Sequence, residues 1–229
     1  MSFVRAASVL SVLGRMARTS ELRRRGVSRD ELSRAVRSGE VLRPRQGVYA
    51  LPDATEAWVH AASHGGTIGC AQAAAEHGLW VLRLPSSNHV WMGAAGTPRS
   101  TCDACVLHWD EGRARVGEAA PVPNALLQIA GCCGEDTFFA ALESALRRSL
   151  LSPAGLNWLR RHLPTSMRWL VAFARADADS GLESLIRLRL HRTGIPVRTQ
   201  VPVSGVGEVD IVIGDFLIVE ADGRENHAR

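Results

Sequence analysis

The strongest constraint on this chain lies near its end, in Gly207-Glu-Val-Asp210-Ile-Val-Ile-Gly-Asp-Phe-Leu-Ile-Val-Glu220-Ala-Asp222-Gly223, with His227 just beyond. Two apolar β-like runs carry carboxylates at equivalent ends, and a Gly-Asp turn joins them. If the runs pair as a hairpin, register decides where the charges go, because a slip of one residue moves every side chain to the opposite face. A two-residue loop at Gly214-Asp215 sets Asp210 opposite Val219 and mixes charged with apolar side chains on both faces. A three-residue loop over 214–216 sets Asp210 opposite Glu220 and Glu208 opposite Asp222. Val209, Ile211, Ile213, Leu217, Val219 and Ala221 then share one apolar face, which can be buried without burying a charge. The odd loop is therefore expected. It gathers four carboxylates on the other face, where they raise one another's pKa unless a cation sits among them. Oxygen-only ligands suit Mg²⁺ or Mn²⁺.

The helix before this hairpin, Ser180-Gly-Leu-Glu183-Ser-Leu-Ile-Arg-Leu-Arg-Leu-His-Arg-Thr-Gly194, is amphipathic with a glycine stop, and Ile195 to Val203 reads as a first strand. Ser180-x-x-Glu183 is a capping box that needs no catalysis to explain it. A helix-borne carboxylate reaching a metal beside the sheet explains it as well.

The front of the chain carries a different signal. Phe3, Ala7, Leu10, Leu13 and Ala17 fall on one helical face. The apolar run between Arg5 and Arg15 is followed by no Ala-x-Ala-like cleavage site. Thr19 to Gly26 reads as a short helix with a glycine stop, and Ser28-Arg-Asp-Glu31 as a capping box opening a helix that turns Leu32 and Val36 inward. Val41 to Leu51 reads as two short strands around a Pro/Gly turn. Three helices and a hairpin is the order of a winged helix-turn-helix. Its second paired helix exposes Arg29, Ser33, Arg34 and Arg37, and the hairpin tip carries Arg43 and Arg45.

From Arg18 to Arg45 there are nine arginines against Glu21, Asp30, Glu31 and Glu40, an excess larger than the +4 of the whole chain. A clustered basic face is the electrostatic footprint of a nucleic-acid binder. Those arginines either read guanine edges or hold phosphates. A solvated face or a protein-binding winged module is the plainer alternative.

Between these regions, residues 53–175 read as a mixed α/β middle domain. Gly69 to His77 is a helix; Trp80 to Leu84, His89 to Met92 and Cys105 to Trp109 are strand-like; Asn124 to Ala130, Glu135 to Leu150 and Pro153 to His162 are helical. The histidines, His60, His64, His77, His89 and His108, read as lone or core residues with no chelating spacing on one element. Cys102-Asp-Ala-Cys105 has zinc-ligand spacing that Cys132-Cys133 would complete, but free thiols in a reducing compartment are the favoured reading. No stretch is long enough to span a membrane, and a cytoplasmic protein is expected.

Helix, strand, Asp-bearing strand, then Glu-x-Asp-Gly and a histidine resembles the PD-(D/E)xK nuclease superfamily, and more narrowly the very-short-patch-repair-endonuclease-like domain. The matching residues are Glu183, Gln200, Asp210, Glu220, Asp222, Gly223 and His227. The front resembles the winged helix of AbiEi-type abortive-infection antitoxins.

Together the resemblances imply an α+β protein of three parts. These are a winged helix-turn-helix over 1–52, the mixed α/β middle over 53–175, and a partial restriction-endonuclease-like α-β-β-β core over 176–229. They imply double-stranded DNA as partner, with Asp210, Glu220 and Asp222 holding Mg²⁺ or Mn²⁺ and Glu183 assisting. In such a site the metal lowers the pKa of an attacking water, with His227 as general base. The superfamily's lysine is replaced by Asp222, and the chain contains no lysine at all. The sequence also stops before the helix and strand that would flank the hairpin, so an incomplete core is expected. A DNA-binding regulator without catalysis, or an open sheet edge extended by a protein partner or a second copy, are the alternatives.

Overall fold

The computed structural model describes residues 4–99 and 104–221. The chain divides into two compact units, Met1–Gln72 with Ser86–Ala120, and Ala73–Pro85 with Pro121–Arg229. Helices and small three-stranded sheets mix throughout, an α+β arrangement.

The first unit opens with α1 (Ala6–Val12). The helical face expected to run on to Ala17 stops early. Gly14 takes φ 82°, and the Arg15 amide bonds the Leu10 carbonyl at 2.8 Å, the closing bond of a Schellman motif. The chain turns into β1 (Met16–Arg18), so Ala17 reaches the core from a strand. Phe3, the other end of that expected face, lies outside the described residues.

Next come α2 (Thr19–Arg24) and α3 (Arg29–Arg37), joined by a tight turn in which the Val27 amide bonds the Leu22 carbonyl. Ser28 Oγ accepts from the Glu31 amide at 3.1 Å, as its capping position requires. The reciprocal half of the expected capping box is not made. The Glu31 carboxylate accepts instead from the Ala6 amide at 3.0 Å, so it caps α1 rather than its own helix.

Strands β2 (Leu42–Arg45) and β3 (Val48–Ala50) complete an antiparallel sheet of order β1-β3-β2. Apolar residues on this sheet close two cores. One gathers Leu10, Leu22, Leu32, Ala35 and Tyr49; the other gathers Met16, Val48 and Ala50 against Ala62 of α4 (Glu56–His64). Burying each of the leucines contributes about 1.5–3 kcal/mol, which suffices to order helices too short to persist alone.

A second sheet follows: β4 (Thr67–Ile68), then α5 (Cys70–Glu76), through which the division between units runs, then β5 (Asn88–Trp91) and β6 (Cys105–His108). Its order is β4-β5-β6, with β5 antiparallel to β4 and parallel to β6. The strand expected over Trp80 to Leu84 does not form. Leu82 and Leu84 are exposed, and the Trp80 amide is taken by Ser144 Oγ at 3.1 Å rather than by a neighbouring strand.

The second unit packs α6 (Val122–Cys132), α7 (Gly134–Arg147), α8 (Pro153–His162), a 3₁₀ turn (Thr165–Met167), α9 (Arg168–Phe173) and α10 (Gly181–Arg192). Phe138, Phe139 and Leu142 of α7 are fully buried. Glu143 of the same helix forms an ion pair with Arg187 of α10, both of them buried. The Arg187 guanidinium also donates to the Phe173 carbonyl at 3.1 Å and lies 4.3 Å from the Phe173 ring. Burial outweighs the pairing: it pushes the Glu143 carboxyl up and the Arg187 guanidinium down from their ordinary values.

Strands β7 (Val197–Val203), β8 (Gly207–Ile213) and β9 (Leu217–Val219) form an antiparallel sheet in that order. Ile213 pairs with Leu217, which closes a three-residue loop. The expected apolar face is buried at Val209 and Ile211, while Leu217 stays 45% exposed; Val212, on the opposite face, is buried as well. Among the described residues no helix is long and apolar enough to cross a membrane.

Candidate nucleic-acid interface and carboxylate row

Leu32 and Ala35 turn α3 toward the core, which leaves Arg29, Ser33 and Arg37 exposed on its outer side. Arg23, Arg24 and Arg25 are exposed at the end of α2, and Arg43 is exposed on β2 with its guanidinium 6.0 Å from the Tyr49 ring. Arg34 is placed differently from its neighbours. Its Nε and Nη2 grip Glu31 at 2.7 and 2.9 Å, and its Nη2 also reaches Glu40 at 2.8 Å. These hydrogen bonds hold both carboxyls below the ordinary range and raise the guanidinium's own pKa. Arg34 thus works inside the fold, joining α1, α3 and the start of the wing through Glu31 and Glu40.

Arg45 lies at the wing tip, where its Nε donates to the Ala62 carbonyl of α4 at 2.8 Å. A cleft of about 520 Å³ opens there, lined by Pro44, Arg45, Gln46, Ser63 and Arg99. Burial lowers the Arg45 pKa, and the charges of Arg18 and Arg99 lower it further. Three guanidiniums therefore crowd one another at this corner. Arg99 carries no signal in the sequence; it stands far from the basic cluster along the chain and arrives by folding alone.

In the second unit, the strand registers line up Gln200, Asp210 and Glu220 across β7, β8 and the end of β9. The Asp210 amide donates to Glu220 Oε2 at 3.4 Å, and the Ala221 amide donates to Asp210 Oδ2 at 2.8 Å. Glu183 of α10 is 5% exposed and joins this row through Gln200, whose Nε2 donates to Glu183 Oε2 at 2.9 Å. Ser180 Oγ caps the helix by accepting from the Glu183 amide at 3.2 Å, while the Glu183 carboxylate accepts from the Asp179 amide at 2.9 Å. Glu183 is thus a cap residue and a member of the row at once. Burial raises its pKa, and the carboxylates of Asp210 and Asp179 add to the rise. Gln200 takes φ 50°, a left-handed conformation that costs a non-glycine residue about 1 kcal/mol or more in mid-strand. Asp222 and His227 lie outside the described residues.

The histidines depart from what the sequence suggests. His60 and His64 stand one helical turn apart on α4, their ring centroids separated by 4.6 Å, which is chelating spacing on one element. Cys105 Sγ lies 4.0 Å from His64 Nε2. His89 Nδ1 and His108 Nε2 are 2.9 Å apart in a stacked pair. Cys70, Cys105, Cys132 and Cys133 form no disulfide among the described residues, and Cys102 lies outside them.

Helix, strand, two helices at a tight turn and a two-stranded wing is the element order of a winged helix-turn-helix protein. Residues 9–52 match a family model described as a transcriptional regulator, the AbiEi antitoxin. The match runs from within α1 through the end of β3 and stops before α4. Comparison with curated proteins finds no match.

Proposed function

We propose that the protein is an antitoxin-like, DNA-binding transcriptional regulator. In this reading α3 enters the major groove of double-stranded DNA and presents Arg29, Ser33 and Arg37. The β2–β3 wing lies along the adjacent backbone with Arg43 and Arg45. The observation that carries it is a cleft lined by Arg45 and Arg99, with Arg18 close enough for its charge to act on Arg45. The like charges set around Arg45 are relieved by an anion among them, and a row of phosphates supplies one. The family match over residues 9–52 supports the same reading.

Fluorescence anisotropy on the DNA upstream of the protein's own gene, over a salt series, tests it. Arg29→Ala with Arg37→Ala is expected to weaken binding and to reduce the salt slope by about 1 for each phosphate no longer neutralised, with Asp210→Ala binding as wild type. Salt-independent binding, or none, overturns the proposal.

A second reading concerns the carboxylate row. The left-handed Gln200 and the clustered Glu183, Asp210 and Glu220 favour a metal-dependent endonuclease-like origin, since strain and like-charge clusters concentrate at functional sites. Asp210 and Glu220 form an oxygen-only donor set that fits Mg²⁺ or Mn²⁺, with Asp222 as the further ligand that the sequence implies. When bound, the ion polarises a phosphate and acidifies a water. Glu183 and Gln200 hold the row in place by their hydrogen bond. Plasmid incubated with either ion stays intact if this domain is only a scaffold; nicking abolished by Asp210→Ala establishes hydrolysis.

A further inference from the structure

We propose that His60, His64 and Cys105 form a zinc-binding site between α4 and the β4–β5–β6 sheet. One ligand atom from each of the three lies within 4.8 Å of the others. Tetrahedral zinc, with bonds of about 2.0–2.3 Å, holds its ligands about 3.3–3.7 Å apart. The two histidines project from one side of α4 because residues four apart stack on a helix. Cys105 is the first residue of β6 and faces them from the sheet.

The backbone around the site is held in place. The His64 carbonyl, at the end of α4, accepts from the Arg99 amide at 3.0 Å. Gly66 follows, so close to β5 that a Cβ there would meet the Trp91 carbonyl at 2.5 Å and Val90 Cγ1 at 2.6 Å. The helix end is therefore seated on the neighbouring strand, which fixes where His64 meets Cys105 before any ion arrives. His64 is 3% exposed, while His60 and Cys105 are half-buried, so the pocket is partly shielded yet reachable.

Two imidazoles and a thiolate make a donor set that selects zinc over magnesium or calcium. On binding, the Cys105 thiol loses its proton to solvent and the sulfur takes up the metal bond. Three protein ligands leave one tetrahedral position for water. His89 and His108 offer a second pair of imidazoles, their ring nitrogens 2.9 Å apart, and His89→Ala separates that pair from this site. The inference does not depend on the DNA-binding reading.

The test uses the full-length protein, stripped with chelator and titrated with Co²⁺ as a spectroscopic stand-in for zinc. About one equivalent is expected to bind with a sulfur-to-cobalt charge-transfer band and tetrahedral d–d bands, displaced by Zn²⁺, and zinc is expected to raise the Tm. Cys105→Ser is expected to abolish the charge-transfer band with its circular dichroism unchanged. His60→Ala, at a half-buried position, is expected to weaken binding at least about tenfold if a direct ligand is removed. His89→Ala is expected to leave the cobalt spectrum as in wild type. The proposal is overturned if no thiolate band appears in the wild-type protein. It is equally overturned by a band that survives Cys105→Ser or disappears in His89→Ala.

Discussion

Arg34 and Arg37 sit three residues apart on one short helix and do opposite work. Arg34 is drawn inward by two carboxylates, one of them the buried Glu31, which also caps α1. Arg37 has no such role in the fold and faces solvent. Arg34→Ala is therefore expected to lower the Tm, because it strands a buried carboxylate. Arg37→Ala is expected to leave the Tm in place and reduce DNA affinity. Measuring both quantities on both variants separates a structural arginine from an exposed one. Nothing in the sequence distinguishes the two, since helical periodicity places both on the polar side. The deciding fact is the alignment of Glu31 and Glu40 after folding.

Protonation belongs to the same scale. Burial pushes the His108 imidazole down to about 4 from 6.5, with His89 adding to the fall and Asp110 opposing it. Between those two values the unfolded chain binds a proton that the folded one does not, so stability rises with pH across the window. It is complete above about pH 6.5 and is lost progressively down to about pH 4, by on the order of 3 kcal/mol. Urea titrations at several pH values are expected to show a shallower dependence in His108→Gln. A wild-type slope in that variant would contradict the assignment.

At the scale of elements, the pair that matters most for the carboxylate row is α7 with α10. Glu143 and Arg187 cannot be hydrated where they sit, so each depends on the other. Arg187→Met alone is expected to cost about 3–5 kcal/mol, and Glu143→Leu with Arg187→Met to recover most of it. Chemical denaturation of the two variants reads the difference. The same helix pairing holds Glu183 beside Gln200.

The hairpin makes its own prediction at this scale. Deleting Asp215 converts the three-residue loop to two, which forces either a register slip or a strained turn. Val209 and Ile211 are the buried members of the apolar face, so the slip would carry charge into the core or Ile211 out of it. A sharp fall in cooperativity of unfolding is expected, larger than for Asp215→Ala.

Register was legible in the sequence because the side-chain period of a strand is two and only one loop length kept every charge on one face. The end of α1 was not. Helical spacing at Ala17 coincides with a strand position, and the left-handed Gly14 and Arg15 decide between them. The strand-like run at Trp80 failed for another reason: β-branched and aromatic residues favour a strand only when another strand is there to pair with.

At the scale of the whole molecule, the fold reads as two units whose chain segments interleave, with residues 73–85 grouped with the second and 86–120 with the first. That order could not be read from periodicity, which sees local spacing and not the return of a distant segment. The α+β class was legible, as were the paired helices and the hairpin that follows them. Arg99, which completes the arginine crowding, was hidden for the same reason as the interleaving. Moderate salt is expected to release DNA from the full-length protein steeply, since arginine-only binding to phosphates acts through counterion release. Repeating the titration with Arg99→Ala is expected to flatten the slope.

The sheet β1-β3-β2 contributes to two cores, and α4 supplies the second partner through Ala62. The stretch that matches the family model ends at residue 52, before that helix begins. The matched segment and the cooperative folding segment therefore have different boundaries. A peptide cut at the edge of the likeness would present Met16, Val48 and Ala50 to water and show no sharp melting transition. Whatever follows such a segment in another chain must bring its own cover, so the neighbour is a structural partner that the likeness itself does not include.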